Sequence, residues 1–347
     1  MGHRGRVRRV LADPDLRSLC DAVRPFWHPV AWAADVADRP ISTELLGTPL
    51  VIWRVEGRVA VALDRCPHRG TKLSLGVVED DELVCPYHGW HFALDGVCQA
   101  IPQVADDSKI PVRAALAMVD SIERYGIVWA VLEEPIAPIP DFPEWDDPSY
   151  VHVPCRSYTW AAGAGRMLEN FTDFGHLGYL HDGLLGVRDE LVVPEHSVMT
   201  EGRVLSYEIQ LAVPNTNDRF AVTDVASERG LQTNTYVLTL PFTIHLRCRY
   251  EDSDSYRTLF FVVQPRSHHE STGYCFQSRN FDPDADPADF VDFQDLLAEQ
   301  DRPIVESQWP KDVPLGMTDE LQLGFDRVAI SYRRALRRLI AGRAETR

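Results

Sequence analysis

Two short segments constrain this chain more than any other feature. Cys66-Pro67-His68 and Cys85-Pro86-Tyr87-His88 each offer one thiol and one imidazole, and sixteen residues separate them. A fold that brings both loops to one point gains four ligands, enough for zinc or for a binuclear iron–sulfur cluster. Zinc fingers more often pair Cys with Cys and His with His, whereas here each loop is mixed. Mixed loops suit a 2Fe-2S cluster with both thiolates on one iron and both imidazoles on the other, an exchange that raises the reduction potential. His91 lies beside the second loop but off its spacing, and reads as structural.

The surrounding sequence fits a small β domain. Pro49–Trp53, the turn Glu56-Gly57 and Arg58–Leu63 form a hairpin pattern, and further turns fall at Asp80-Asp81, Asp95-Gly96 and Pro102. An all-β domain is therefore expected over 41–140. Residues 1–40 are expected to be a helical segment packing on the core, with Leu16, Leu19, Cys20 and Val23 before breaks at Pro25 and Pro29. The Pro- and acid-rich stretch 133–150 marks a boundary, and 141–347 is expected to be a second domain. Its patterns predict a helix near 164–177, strands at Tyr236–Leu246 and 255–264, and helices at 287–301 and 318–342. The last carries an apolar stripe of Leu321, Phe325, Val328, Tyr332, Leu336 and Leu339. In the 236–246 strand every even position is apolar, and Pro241 puts it at an edge or bulge. A β domain followed by a sheet with helices is α+β.

Composition excludes several function classes. The 347 residues carry 35 Lys+Arg against 52 Asp+Glu, a net charge of −17, which disfavours nucleic-acid binding because phosphate contacts need clustered cations. No apolar run is long enough for a membrane helix. The basic N-terminus is followed by no apolar segment of a secretory signal, so the cytoplasm is expected. Seven scattered cysteines are no disulfide framework in that compartment.

A second constellation lies in Glu169-Asn170-Phe171-Thr172-Asp173-Phe174-Gly175-His176, followed by His181. Asn170, Asp173 and His176 are three apart and share a helix face. In a regular helix His181 would point about 140° away from His176, unless Gly175 and Gly178 let the helix loosen. Two imidazoles and a carboxylate make the facial triad of non-heme Fe(II) oxygenases; satisfied histidines at a helix end are the bland alternative.

Together these motifs resemble a known family. Cys66-Pro-His-Arg-Gly70 with Cys85-Pro-Tyr-His-Gly-Trp90, then Asn170-x-x-Asp173-x-x-His176 with His181, resembles the Rieske non-heme iron oxygenases, in the family's order along the chain. The length is similar to the vanillate and dicamba O-demethylase-like members. The resemblance implies a Rieske domain followed by a helix-grip catalytic domain, an antiparallel sheet flanked by helices. It implies a 2Fe-2S cluster on Cys66, His68, Cys85 and His88, and a mononuclear Fe(II) on His176, His181 and a carboxylate from a later helix. Asp301 is the expected third ligand, from Glu299, Asp301 and Glu306, with Pro303 interrupting the helix just beyond it. Asp173 and Asn170 would be the catalytic residues, Asp173 as the bridge linking His88 of a neighbouring subunit to His176 in a homotrimer.

The activity so implied is that of a terminal oxygenase. Electrons come from NAD(P)H through a reductase, with or without a ferredoxin, and O2 is used on a small substrate. Monooxygenation, by hydroxylation or oxidative O- or N-demethylation, is the expectation. Cis-dihydroxylation is the alternative, and a plain Rieske electron carrier the non-enzyme rival. Asn170, Phe242, Ile244 and Leu246 are the candidate substrate contacts. The segments 182–193 and 212–234 are candidate entrance loops, and Arg166 and Arg219 candidate carboxylate clamps.

Overall fold

The computed structural model describes residues 14–105, 110–214, 229–250, 254–316 and 319–345. Arg219 lies outside them. The chain opens with α1 (Pro14–Val23), then β1 (His28–Trp32), β2 (Ile41–Leu45), β3 (Thr48–Val55) and β4 (Arg58–Leu63). Next come β5 (Val77–Glu79), β6 (Glu82–Val84), β7 (His91–Phe92), β8 (Cys98–Ala100), β9 (Met118–Arg124) and β10 (Ile127–Val131). They build a six-stranded sheet of order β1-β10-β9-β4-β3-β2 and a four-stranded sheet β5-β6-β7-β8. Of the expected helical segment at 1–40, the described residues 14–40 are helical in α1 and in a single 3-10 turn at Ala33–Asp35. After α1 the chain turns into β1, an edge strand of the first sheet, where Pro29 is tolerated. His28, at the start of β1, is tied to the end of α1 by its Nε2, 2.9 Å from the Val23 carbonyl.

The second half contains β11 (Val151–Pro154), β12 (Tyr158–Trp160), α2 (Ala164–Thr172) and α3 (Leu177–Leu180). There follow β13 (Met199–Glu201), β14 (Val204–Pro214), β15 (Arg229–Thr239), β16 (Thr243–Tyr250), β17 (Tyr256–Pro265) and β18 (Ser271–Arg279). Helices α4 (Pro287–Ser307) and α5 (Arg327–Glu345) end the described chain. The strands form an antiparallel sheet of order β11-β18-β17-β16-β15-β14-β13, with β12 also on β18. One face packs against α1, α2, α4 and α5 through Tyr207, Leu238, Ile244, Phe261, Leu168, Val305 and Tyr332. From the other face, Phe260, Val262, Tyr274 and Phe276 meet Ile127 and Trp129 of the first sheet, with Phe142 stacked on Phe260 at 4.5 Å. Both faces of β17 and β18 are thus buried, which the continuous apolar run Leu259–Val263 of β17 reflects, whereas β18 is buried with a mixed sequence.

Four expectations are corrected. Tyr236–Leu246 is not one strand: the chain turns at Leu240–Phe242 and β15 pairs with β16, Tyr236 facing Leu246 and Leu238 facing Ile244. Even residues pair with even residues across this hairpin, so the alternation survives the reversal and conceals it. Pro241, which has no N–H to give a ladder, occupies the turn. Of the expected 212–234 loop, the described residues 212–214 and 229–234 are strand, β14 running to Pro214 and β15 starting at Arg229. The last helix starts at Arg327, not 318; Leu321 and Phe325 precede it and are exposed. Pro303 does not interrupt α4, which continues to Ser307. That helix is started by the Asp286 carboxylate, which accepts the Ala288 N–H at 2.9 Å, with Pro287 in the first turn.

Candidate metal centres and their cavity

The first centre is made by two loops closed in the same way. The Cys66 N–H donates to the Thr71 carbonyl and the Gly70 N–H to the Cys66 carbonyl, at 2.8 and 2.9 Å. The Cys85 N–H donates to the Trp90 carbonyl and the Gly89 N–H to the Cys85 carbonyl, at 2.9 and 3.0 Å. Each loop needs its glycine, at φ 74° in Gly70 and 66° in Gly89, a region that side chains disfavour. Both cysteines are buried in a core with Leu73, Leu83 and Phe92. Burial, with the neighbouring Cys85 thiol adding, pushes the Cys66 thiol up to about 11. His68 is exposed and His88 half-buried, with their Nδ1 atoms 3.2 Å apart. Trp90 stacks on the His68 ring at 4.7 Å. Two inner thiols and two outer imidazoles facing one another fit a 2Fe-2S cluster with its histidine-held iron at the protein tip. His91 stands apart, bonded to Glu82 at 3.0 Å.

The second centre begins where α2 ends. A helix over 164–177 is not formed: Asp173 takes an extended ψ of 134°, and its carboxylate accepts the backbone N–H groups of Gly175 and His176 at 3.2 and 3.0 Å. An aspartate that caps its own downstream backbone competes with helix continuation. A fresh turn then starts at His176, whose carbonyl accepts the Leu180 N–H at 2.7 Å. The turn is short, α3 ending at His181 with φ −104° and ψ 35°, and the two rings stand with centroids 5.0 Å apart. Gly178 serves a different need. With Gly186 it lets the 186–187 loop pass over α3: a Cβ on Gly178 would stand 3.0 Å from the Val187 carbonyl oxygen, and one on Gly186 2.7 Å from the Gly178 Cα.

Asp301, in α4, completes a cluster in which the ligand atoms of His176, His181 and Asp301 all lie within 4.8 Å of one another. Its Oδ1 is 3.0 Å from His181 Nε2 and 3.7 Å from His176 Nε2, yet it is buried without a well-formed hydrogen bond. Three donor atoms aimed at one point, with an oxygen left unsatisfied, fit a single iron. The rival carboxylates are engaged elsewhere. Glu299 is exposed and pairs with Arg302, and Glu306 accepts the Ala161 N–H at 2.8 Å.

Each imidazole is also held from behind. His176 Nδ1 is 2.7 Å from Asp173 Oδ2, and His181 Nδ1 is 2.7 Å from Gln300 Oε1. A metal held at Nε2 would leave the proton on Nδ1, and both partners would then act as acceptors. Burial acts to raise the Asp173 carboxyl, but the hydrogen bonds and charge of His176 outweigh it and hold it below the ordinary carboxylate range. Sequence reasoning missed Gln300; its only signal is its place immediately before Asp301.

A cavity opens beside this triad. It is lined by Asn170, Phe171, Leu177, Leu185, Leu211, Gln232, Asn234, Tyr236, Leu246, Cys248, Arg257, Leu259, Phe293, Gln294 and Leu297. Of the expected substrate contacts, Asn170 and Leu246 line it. Ile244 is fully buried in the core, and Phe242, in the hairpin turn, lines a separate hollow with Trp27 and His28. Within 182–193 the cavity is reached by Leu185. Arg166 is no clamp. It is buried and bonded to Glu320 at 2.6 Å, in a network where Arg333 also holds Glu169 and Glu320. This network floors a surface hollow containing Asp173, His176, Trp309 and Leu321.

Both halves of the chain are similar to known proteins. Residues 26–122 match the Rieske [2Fe-2S] domain, and residues 160–342 match the vanillate O-demethylase oxygenase C-terminal domain. Methylxanthine N1-demethylase NdmA of Pseudomonas putida is 34% identical over 329 residues, 91% of this chain and 89% of that protein. Methylxanthine N3-demethylase NdmB of the same organism is 30% identical, covering 90% and 88%. The solved structure of NdmA with caffeine aligns with a TM-score of 0.82 at 32% identity over 94% of each chain. Dicamba monooxygenase shares the fold at a TM-score of 0.79 and 22% identity, over 93% of this chain and 99% of that one.

Proposed function

The chain belongs to the Rieske non-heme iron oxygenases, and on that premise we propose that it removes an N-methyl group from a small, neutral, planar heterocycle. It is an oxidoreductase, the terminal oxygenase of a multicomponent system, with one 2Fe-2S cluster, one mononuclear iron and electrons supplied by a reductase. The observation that carries the substrate reading is that both relatives matched over about nine-tenths of the chain are methylxanthine N-demethylases. In the overall reaction the methyl carbon takes one atom of O2 and leaves as formaldehyde, while nitrogen keeps a hydrogen. The second oxygen leaves as water, with two electrons and two protons consumed.

Bound iron supplies the activation of O2. The chain's own residues do the rest. Cys66, His68, Cys85 and His88 hold the cluster, and His176, His181 and Asp301 hold the iron. Asp173 and Gln300 fix the two imidazoles. Leu185, Leu211, Leu246, Leu259 and Leu297 exclude water around the methyl group.

The assembly is a homotrimer in which the tip of one subunit meets the Asp173 hollow of the next. Asp173 then links His176 to His88 of the partner subunit. Exposed His68 and Tyr87 on the tip, and exposed Trp309 and Leu321 beside the hollow, support this reading. Among the described residues no helix is long and apolar enough to cross a membrane, and the protein works in the cytoplasm.

The test is turnover of the reduced, iron-loaded protein with labelled O2 and a panel of N-methylated xanthines and uracils, alongside methoxybenzoates. Formaldehyde equal to substrate consumed, from the N-methyl compounds, is expected. Formaldehyde from the methoxybenzoates alone would assign O-demethylation instead, and product carrying two labelled oxygens would assign dihydroxylation.

A further inference from the structure

The cavity beside the iron triad has a polar end and an apolar end, and the sheet register sets where they lie. Asn234 on β15 stands opposite Cys248 on β16, which stands opposite Arg257 on β17. These three cavity-lining residues form a polar row across the floor. The neighbouring row, Tyr236, Leu246 and Leu259, is largely apolar. Helix α4 crosses above: the Arg257 guanidinium sits 6.0 Å from the Phe293 ring. Asp301 lies eight residues further along that helix, so at 1.5 Å per residue the polar row and the iron carboxylate are about 12 Å apart along its axis. That span suits a bicyclic molecule with its reacting methyl at one end.

Asn234 is the unusual member of the row. It is 5% exposed, it lines the cavity, and its Oδ1 has no hydrogen-bond partner. A buried acceptor left empty is costly, so native proteins rarely keep one without a use. Gln232 and Gln294, 5% and 8% exposed, line the same cavity. The Gln294 oxygen lies 3.5 Å from the Gln277 side-chain nitrogen, which leaves its N–H groups for an outside acceptor. Among the described lining residues the only carboxylate is Asp301.

We propose that Asn234 is a specificity-determining residue that accepts a hydrogen bond from a ring N–H on the substrate edge far from the reacting methyl. Gln232 and Gln294 donate to the carbonyl beside that N–H. The substrate class is then a partly methylated lactam or imide heterocycle, not a fully N-methylated one. This rests on the N-demethylase reading. A site built around a polar group discriminates strongly against an analogue lacking the partner, because its own buried group is then left unpaired.

Caffeine has no ring N–H, whereas theobromine and theophylline each replace one of its N-methyl groups by N–H. Dissociation constants of all three are measured by calorimetry on the holoprotein and on Asn234→Leu, with cluster absorption and iron content as checks of folding. In wild type, one of the two N–H isomers is expected to bind at least about tenfold more tightly than caffeine, or about 1.4 kcal/mol. In Asn234→Leu that ratio is expected to fall below about threefold. Should Asn234→Leu not fold, Asn234→Ala gives the same reading.

Caffeine binding as tightly as the better isomer in wild type, or a ratio that survives removal of the amide, would overturn the proposal while leaving N-demethylation standing. Absence of both binding and formaldehyde with every N-methyl compound would overturn the N-demethylase reading and this inference with it.

Discussion

The two metal centres of this chain are built on opposite plans. The cluster site comes from two loops within one small domain, each tied by the same pair of backbone hydrogen bonds, with its imidazoles at the surface. The candidate iron site joins His176 and His181 to Asp301, over a hundred residues away on a packed helix, and His181 is 1% exposed. The first is held by loop geometry, the second by tertiary packing. A local site can be lost or kept without the sheet-and-helix core noticing; a site assembled across the core depends on how α4 docks.

The largest expected effect separates the two sites completely. Cys66→Ala should abolish the visible absorption of the cluster and all reductase-coupled turnover, while iron still binds the triad. Loss of triad iron in the same variant, by metal analysis, would mean the sites are not independent. The converse change, Asp301→Ala, should weaken mononuclear iron by more than the roughly 10–100-fold typical of removing a ligand's supporting partner. Its cluster spectrum should be unchanged.

Smaller effects sharpen the contrast between the two supports behind the histidines. Asp173→Asn keeps the size and removes the charge. It should retain both metals but lower coupled turnover by about 10–100-fold; full activity would remove Asp173 from its bridging role. Gln300→Leu should lower iron affinity by about tenfold, the lower end of that range, because it removes a neutral acceptor. Iron retention after dialysis against graded chelator measures it, and equal retention in wild type and variant would show that Gln300 does not orient His181.

The same contrast explains what was legible in the sequence. The cluster loops are spelled out because their ligands and glycines are neighbours in the chain. His176 and His181 were readable as a pair, but the device that aligns them was not. Helical spacing set His181 about 140° from His176, whereas the Asp173 carboxylate ends α2 and the short α3 ends at His181. Asp301 was reachable only by resemblance, since nothing local distinguishes it from Glu299. The hairpin at Pro241 was hidden because an antiparallel reversal about residue 241 pairs even positions with even positions. Gln232, Asn234 and Tyr236 alternate onto one face of β15, but the polar row of Asn234, Cys248 and Arg257 runs across three strands and needs their register to be seen. Arg166 shows the reverse error: a cation near a site invites a ligand role, and burial had already paired it with Glu320.

In the proposed homotrimer, the cluster of one subunit would serve the iron of the next. Differently tagged Cys66→Ala and Asp301→Ala chains, co-expressed and purified through both tags, test it most directly. Each variant alone should be inactive. The mixed assembly should regain coupled turnover, because an intact cluster on one subunit faces an intact iron site on the next. A mixed assembly of trimer mass that holds both metals and yet stays inactive would contradict the account.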